Sequence, residues 1–265
     1  MAFTNAIPTV EFVTSKGDFM KDLSTRSMGV LALVAAMGIG IPSVAFASST
    51  RMTPSAKSTS TGAGFVTAQK ALEDQLANRA TELAHLGADL GAATALTTSA
   101  KATLQARLLT EQASINGLIA KVPTDTTWAQ LRSDQAAMLK DNRVYAVMAP
   151  QVFEMIEASM VATQVASMQG NEPMLQAETT SLQGQPGYST ALNHYNNYVT
   201  RLTNWSTRIA NVESVVLAQT PQGYPGNTMV FLTQNHLILN ANMALAYASY
   251  DESIIGLAAG GYSGS

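Results

Sequence analysis

Residues 192–219, LNHYNNYVTRLTNWSTRIANVESVVLAQ, decide the fold of this chain. Apolar side chains recur in this segment at intervals of three, four or seven residues. They are Leu192, Tyr195, Val199, Leu202, Ile209 and Val216, with Trp205 beside the same seam. This spacing places them on one face of an α-helix. The segment is the longest regular amphipathic stretch of the sequence, and its apolar face must pack against other helices.

The same spacing occurs twice nearer the N-terminus. A first set predicts a helix over residues 65–96, and it consists of Leu72, Leu76, Leu83, Leu86 and Leu90. A second set predicts a helix that ends at about Lys121, ahead of Pro123, and it consists of Leu104, Leu108, Ile115, Leu118 and Ile119. The cap-forming residues 97–99 separate the two helices.

A third helical region follows, over residues 126–169. Thr127 and Gln130 have capping-box spacing at its start. Asp141 and Asn142 interrupt the pattern, and Pro150 predicts a bend or a short break, because proline lacks an N–H and clashes with the preceding turn. A short helix is expected over residues 172–183, and residues 184–187 form a loop.

The last helix is predicted over residues 228–258, which contain no Lys or Arg. Its apolar residues lie on more than one face, so the helix is either the centre of the bundle or an interface. The central position is favoured, because a long exposed apolar stripe would promote association. No segment of the sequence has a strand pattern. The predicted fold is therefore all-α, an antiparallel bundle of four to six long helices.

The N-terminal residues predict export. Arg26 precedes an uncharged run over residues 28–41, and Ala45-Phe-Ala47 matches a signal-peptidase site. We therefore expect a signal peptide over residues 1–47 and a secreted or cell-surface protein. The alternative is an uncleaved membrane anchor, since residues 28–47 are long enough to span a bilayer.

The rest of the chain is divided by composition. Residues 48–64 are rich in Ser, Thr and Gly and predict a flexible tether. Residues 65–258 form the helical bundle, and residues 259–265 are expected to be a disordered tail. The bundle is long enough to bury a substantial core.

Composition excludes several classes of function. The formal net charge is −3 and there is no basic tract, which argues against a nucleic-acid partner. The absence of cysteine excludes disulfides and thiolate nucleophiles. Charged residues make up 12% of the chain, about half the usual share, so Gln, Asn, Thr and Ser must form much of the surface.

Candidate metal and cofactor motifs are weak. Glu82 and His85 have the Glu-x-x-His form of di-iron bundles and Asp89 lies nearby, but no second copy of the motif exists. His194 and His236 lack a Glu three residues before them. Methionines are more consistent with core filling than with copper or haem ligation, and they include Met138, Met148, Met155, Met160, Met168 and Met174. We expect no metal and no cofactor.

Two segments carry a resemblance to a protein family. They are residues 131–150, from Leu131-Arg-Ser-Asp to Met-Ala-Pro150, and Val216-Leu-Ala-Gln-Thr-Pro221 followed by Tyr224. With the Ala-rich helix between them, they resemble a group of uncharacterised exported helical-bundle proteins of actinobacteria. The resemblance covers most of residues 65–258, and this chain has Gln, Asn and Met where that group usually has Lys, Arg and Asp. It implies export and a helical fold, and it supplies no catalytic residue.

Two functions are compatible with these observations. The first is a non-enzymatic structural or interaction module of the cell envelope or the extracellular space, which associates with itself or with other envelope proteins. It would touch the membrane only if residues 28–47 are retained. The second is a binder of a small apolar ligand or a peptide, with a cleft between helices. Its candidate lining residues, which core packing explains equally well, are Trp128, Tyr145, Trp205 and Tyr247. An enzyme is not expected, because no nucleophile–base pair, carboxylate pair or phosphate loop stands out.

Overall fold

The computed structural model describes residues 62–260, and within that range the chain is all-α without a strand. Five long helices form the bundle and two short ones connect them. In chain order they are α1 (Ala63–Ala92), α2 (Thr98–Lys121), α3 (Trp128–Lys140), α4 (Ala149–Gln169), α5 (Glu172–Ser181), α6 (Tyr188–Leu217) and α7 (Gly226–Ala259). The predicted helical bundle is confirmed.

The predicted N-terminal and C-terminal segments fall largely outside this range. The signal peptide over residues 1–47 and residues 48–61 of the tether lie outside the described residues, as do residues 261–265 of the tail. Ala63 and Gly64, which were assigned to the tether, belong to the first turn of α1, and Ala259 still belongs to α7.

Helices α4, α6 and α7 form the main layer of the bundle. Gln151 near the start of α4 donates a hydrogen bond of 2.8 Å to the carbonyl oxygen of Val216 near the end of α6. At the opposite end, the hydroxyl of Tyr198 in α6 donates to the carbonyl oxygen of Met168 in α4. The two helices are therefore antiparallel. Helix α7 runs back along α6, since Asp251 near the end of α7 lies 2.7 Å from His194 near the start of α6.

Helices α1 and α2 form a separate hairpin at the side of this layer. Lys101 near the start of α2 donates to the carbonyl oxygen of Gly91 near the end of α1, at 2.7 Å. Gln69 near the start of α1 donates to the carbonyl oxygen of Val122 just after α2, also at 2.7 Å. Arg107 joins the hairpin to the main layer, because its guanidinium donates to the carbonyl oxygen of Leu217 at 2.8 Å.

The helix boundaries follow the predicted caps. The hydroxyl of Thr97 accepts a hydrogen bond from the amide of Ala100 at 3.2 Å. Thr127 and Gln130 form both halves of the predicted capping box. Gly187 at the start of α6 has a φ of 92°, a left-handed conformation that glycine adopts at little cost.

The predicted break near Pro150 is confirmed. Helix α3 ends at Lys140, and a single wide helical turn over Val144–Met148 leads into α4. Pro150 is the second residue of α4 and directly follows this wide turn, in which the amide of Ala149 donates to the carbonyl oxygen of Val144. The interruption consists of a break at residues 141–143 and the wide turn just before the proline.

The prediction that residues 228–258 form the central helix is wrong, because α4 occupies that position. Only Thr163, Ala166 and Ser167 are exposed among the residues of α4. Helix α7 buries one face, while its opposite face is open to solvent. A helix without basic residues is expected to be buried, but most of the exposed polar residues of α7 are uncharged Thr, Asn and Ser.

The expected core role of the methionines holds for most of them. Met138, Met148, Met155 and Met168 are buried, and Met160 is half-buried. Met174 is the exception, since 52% of its surface is exposed on α5.

Candidate interaction surface on the last helix

Helix α7 carries a second apolar face that points away from the bundle, which we call the outer stripe. At about 100° per residue, its nine members fall within an arc of about 80°. They are Met229, Leu232, His236, Leu239, Met243, Tyr247, Tyr250, Ile254 and Leu257. His236 is the only member that is neither aliphatic nor a tyrosine or methionine. The stripe extends over about 42 Å, at about 1.5 Å per residue.

The outer stripe is open to solvent along its whole length. Five of its large side chains are exposed to half or more of their surface, and they are Met229 (64%), Met243 (55%), Tyr247 (58%), Tyr250 (57%) and Leu257 (50%). None of the nine members is buried. Isolated apolar residues on a surface are ordinary, but a contiguous row of this size marks an interaction site.

A buried carboxylate lies beneath one end of the stripe. Asp251 of α7 is 2% exposed, and it is bound by two side chains of α6. Its Oδ1 lies 2.7 Å from Nδ1 of His194, and its Oδ2 accepts a hydrogen bond of 3.2 Å from Nε of Arg201. A buried charge requires such partners. The three side chains also fasten α6 to α7.

The two partners of Asp251 in turn hold the two tyrosines of the stripe. The guanidinium carbon of Arg201 lies 5.2 Å from the ring centroid of Tyr247. The ring of His194 meets the ring of Tyr250 edge-on, with the centroids 5.8 Å apart. Both exposed rings are therefore positioned before any partner arrives, which lowers the entropic cost of using them as contacts.

The four aromatic residues proposed from the sequence lie at different places in the bundle. Trp128 packs edge-on against Phe65, with the centroids 5.4 Å apart, near the start of α1. Each of the four rings also lies against a different guanidinium: Arg132 at Trp128, Arg79 at Tyr145, Arg208 at Trp205 and Arg201 at Tyr247. Among residues 62–260, no ring-to-ring contact joins any two of them. Tyr247 alone belongs to the outer stripe.

Two buried glutamates have strongly altered acidity. Burial raises the pKa of Glu154 to about 9, and the nearby carboxylate of Glu157 contributes to the rise. Burial likewise raises the pKa of Glu111 to about 7, with a contribution from Asp141. Glu154 is 2% exposed, and within the described range its Oε2 has no hydrogen-bond partner. At neutral pH it is therefore an uncharged core residue of α4.

The described residues contain no group of three metal-ligating side chains. No cluster of three or more His, Asp or Glu residues between positions 62 and 260 could hold a metal ion. His85 and Asp89 are exposed on α1. A raised glutamate pKa is common in catalytic sites, but Glu154 lies in the apolar core and not in a cleft with a nucleophile.

Sequence reasoning missed the cluster around Asp251. Asp251 lies 50 residues after Arg201 and 57 residues after His194 in the sequence. One signal was present, since His194 and Arg201 are seven residues apart and so share a face of α6. Asp251 is also one of only two acidic residues in a helix without a basic one.

Comparison with known proteins adds no relative. No family model matches the chain, and neither a curated protein nor a solved structure is similar to it. The resemblance to exported actinobacterial proteins stays a prediction. Between residues 62 and 260, no helix combines the length and the apolar character that crossing a membrane requires.

Proposed function

We propose that this protein is an exported, non-enzymatic interaction module that contacts other protein surfaces through the outer stripe of α7. The observation that carries the proposal is the stripe itself. It is a helix face about 42 Å long with five large apolar side chains at least half exposed. Monomeric proteins rarely maintain such a face without a use for it.

The fixed tyrosines support a binding role. Tyrosine is enriched where proteins meet, because its ring offers apolar area and its hydroxyl a hydrogen bond. Tyr247 and Tyr250 are half exposed, and Arg201 and His194 hold them in place. A prepositioned aromatic pair is typical of the residues that dominate binding energy at interfaces.

Export is supported by the N-terminal sequence. Arg26, the uncharged run over residues 28–41 and the motif at residues 45–47 match the pattern of an export signal. The mature chain would begin at Ser48 and carry the bundle on a tether rich in Ser, Thr and Gly.

Native mass spectrometry tests this proposal on chain recovered separately from culture medium and from cells. We expect the chain from the medium to begin at Ser48 and to carry no small molecule. A chain that keeps residues 1–47 and stays with the cells would contradict export. A small molecule bound in stoichiometric amount would contradict the interaction role and favour the ligand-binding alternative.

A further inference from the structure

The spacing of the residues in the outer stripe is the same when it is followed from either end of α7. The intervals between its nine members are 3, 4, 3, 4, 4, 3, 4 and 3 residues, which is a palindrome centred on Met243. Their mean is that of a coiled-coil seam, about 3.5 residues. A two-fold contact between two copies requires a self-complementary surface, in which residue i meets residue j and j meets i. A palindromic spacing satisfies this requirement.

Turning a second α7 end over end about Met243 gives matched pairs. Met243 meets Met243 of the second copy, and each other member meets the one at equal distance on the opposite side. The pairs are Met229 with Leu257, Leu232 with Ile254, His236 with Tyr250, and Leu239 with Tyr247. Three of these pairs are apolar. The fourth joins an imidazole to a phenol, two groups that can share a hydrogen bond.

The positions that flank the stripe allow a close approach. In the same arrangement Thr233 meets Ser253 of the second copy, and Asn240 meets Ala246. These side chains are small or uncharged. Helices with such flanking residues can approach each other until their larger side chains interlock.

The charges on α7 also favour a second copy of this helix as the partner of the stripe. Helix α7 has no basic residue, and its acidic residues are Asp251, which is bound to His194 and Arg201, and Glu252, which accepts a hydrogen bond from Asn171. An anionic lipid surface would require Lys or Arg along the polar edge of the helix. A strongly charged protein partner would require charges of the opposite sign. A neutral stripe matches a second neutral stripe.

The available area is sufficient for a stable pair. Nine large side chains, each contributing about half of the 150–250 Å² that an aromatic residue can bury, offer roughly 700 to 1,100 Å² per copy. A standard protein interface takes about 800 Å² from each partner.

From these observations we infer that the partner of the outer stripe is a second copy of this chain, bound antiparallel with the two-fold axis at Met243. The inference rests on the proposed interaction role of the stripe and names its partner.

Disulfide cross-linking tests the register, because the natural chain has no cysteine. We expect Met243→Cys to form an intermolecular disulfide under mild oxidation. Met229→Cys alone should not, since the two copies of residue 229 would lie about 42 Å apart. A double variant with Met229→Cys and Leu257→Cys should link again. Cross-linking of the single Met229→Cys variant would overturn the antiparallel arrangement.

Analytical ultracentrifugation of the full chain tests the contact itself. We expect a dimer for the natural chain. Met243→Asp should weaken the dimer at least about a hundredfold while leaving a helical, cooperatively melting monomer, because it places two carboxylates at the axis. Met174→Asp is the matched control on α5, with 52% of Met174 exposed against 55% of Met243, and it should leave the dimer unchanged.

The outcomes separate this inference from the proposed function. A natural chain that is monomeric at all concentrations, or an oligomer insensitive to Met243→Asp, would overturn the inference. The second result would show that the chain associates through a surface other than the outer stripe. An exported chain without a small molecule would still support the proposed function in either case, whereas failure of export would contradict the exported location whatever the dimer does.

Discussion

The side-chain amide of Gln151 in α4 donates a hydrogen bond of 2.8 Å to the carbonyl oxygen of Val216 in the last turn of α6. It donates a second one of 2.9 Å to the carbonyl oxygen of Gln219. Arg107 of α2 reaches the carbonyl oxygen of Leu217. The last carbonyls of a helix have no partner within the helix, so side chains from two other helices complete the end of α6.

Gln151→Leu should lower the free energy of unfolding by about 1 kcal/mol, because it removes the buried hydrogen bonds of Gln151 to the carbonyl oxygens of Val216 and Gln219. These oxygens keep one donor each, the amide of Gln219 and the guanidinium of Arg107. Gln151 is fully buried, and leucine has a similar size. Urea denaturation followed by circular dichroism measures the effect. Gln105→Leu, on the exposed side of α2, should change stability by less than about 0.5 kcal/mol. Equal effects of both substitutions would contradict the proposed role of Gln151.

Stability should fall as the pH rises from about 4.5 to about 9. In this window the unfolded chain releases the proton of Glu154, whose ordinary pKa is 4.5, while the folded chain retains it because its pKa is about 9. The folded state then binds more protons, so the free energy of unfolding decreases by at most about 1.4 kcal/mol per pH unit.

Denaturation at pH 5, 7 and 9 checks this expectation. Glu154→Gln should remove most of the decrease between pH 7 and 9. Glu111→Gln is the matched control, because the raised pKa of Glu111 is about 7 and its contribution should be mostly lost by that pH. A natural chain that is more stable at pH 9 than at pH 5 would show that Glu154 is ionised in the fold.

Asp251→Asn should destabilise the protein by about 1.5 to 3 kcal/mol, since it replaces a buried carboxylate that is hydrogen-bonded to His194 and Arg201 by a neutral amide. Asp74→Asn removes one partner of an exposed ion pair, the 2.8 Å contact with Lys70. That control should cost no more than about 1 kcal/mol. Thermal unfolding of the two variants decides whether Asp251 is structurally important.

Ile238 and Leu239 are neighbours in α7 and report its orientation. Ile238 is 1% exposed and Leu239 is half-buried in the outer stripe. Ile238→Ala should therefore cost about 2 to 5 kcal/mol through lost burial and a residual cavity. Leu239→Ala should cost clearly less in the dissociated chain. A larger loss of stability for Leu239→Ala than for Ile238→Ala would instead support the central position of α7 that its sequence suggested.

The amphipathic helices of the fold were predictable, because burial of one helix face requires apolar residues at regular intervals in the sequence. Ile209 and Val216 of α6 are buried as their spacing indicates, and Thr127 caps α3 as its motif indicates. The central position of α4 was hidden, because Glu154 and Ser159 look like surface residues. Glu154 is buried in its neutral form and Ser159 is buried against Glu213.

The sequence predicted the outer stripe only in part. The apolar character of α7 on more than one face was predicted, and Phe231 and Leu245 are indeed buried while Met243 and Tyr250 are exposed. Which face the bundle covers depends on α6, since Arg201 and His194 come from that helix. Contacts between residues so far apart in sequence leave no periodic signal.

The palindrome of the outer stripe also limits the size of any assembly that it forms. In a pairing centred on Met243, both copies present their whole stripe to each other, so none of it remains for a third chain. A stripe that matched only when displaced by one or two turns would leave its ends free, and further copies could then add as in a fibre. The symmetric spacing of the stripe along α7 thus limits an assembly formed through it to two chains.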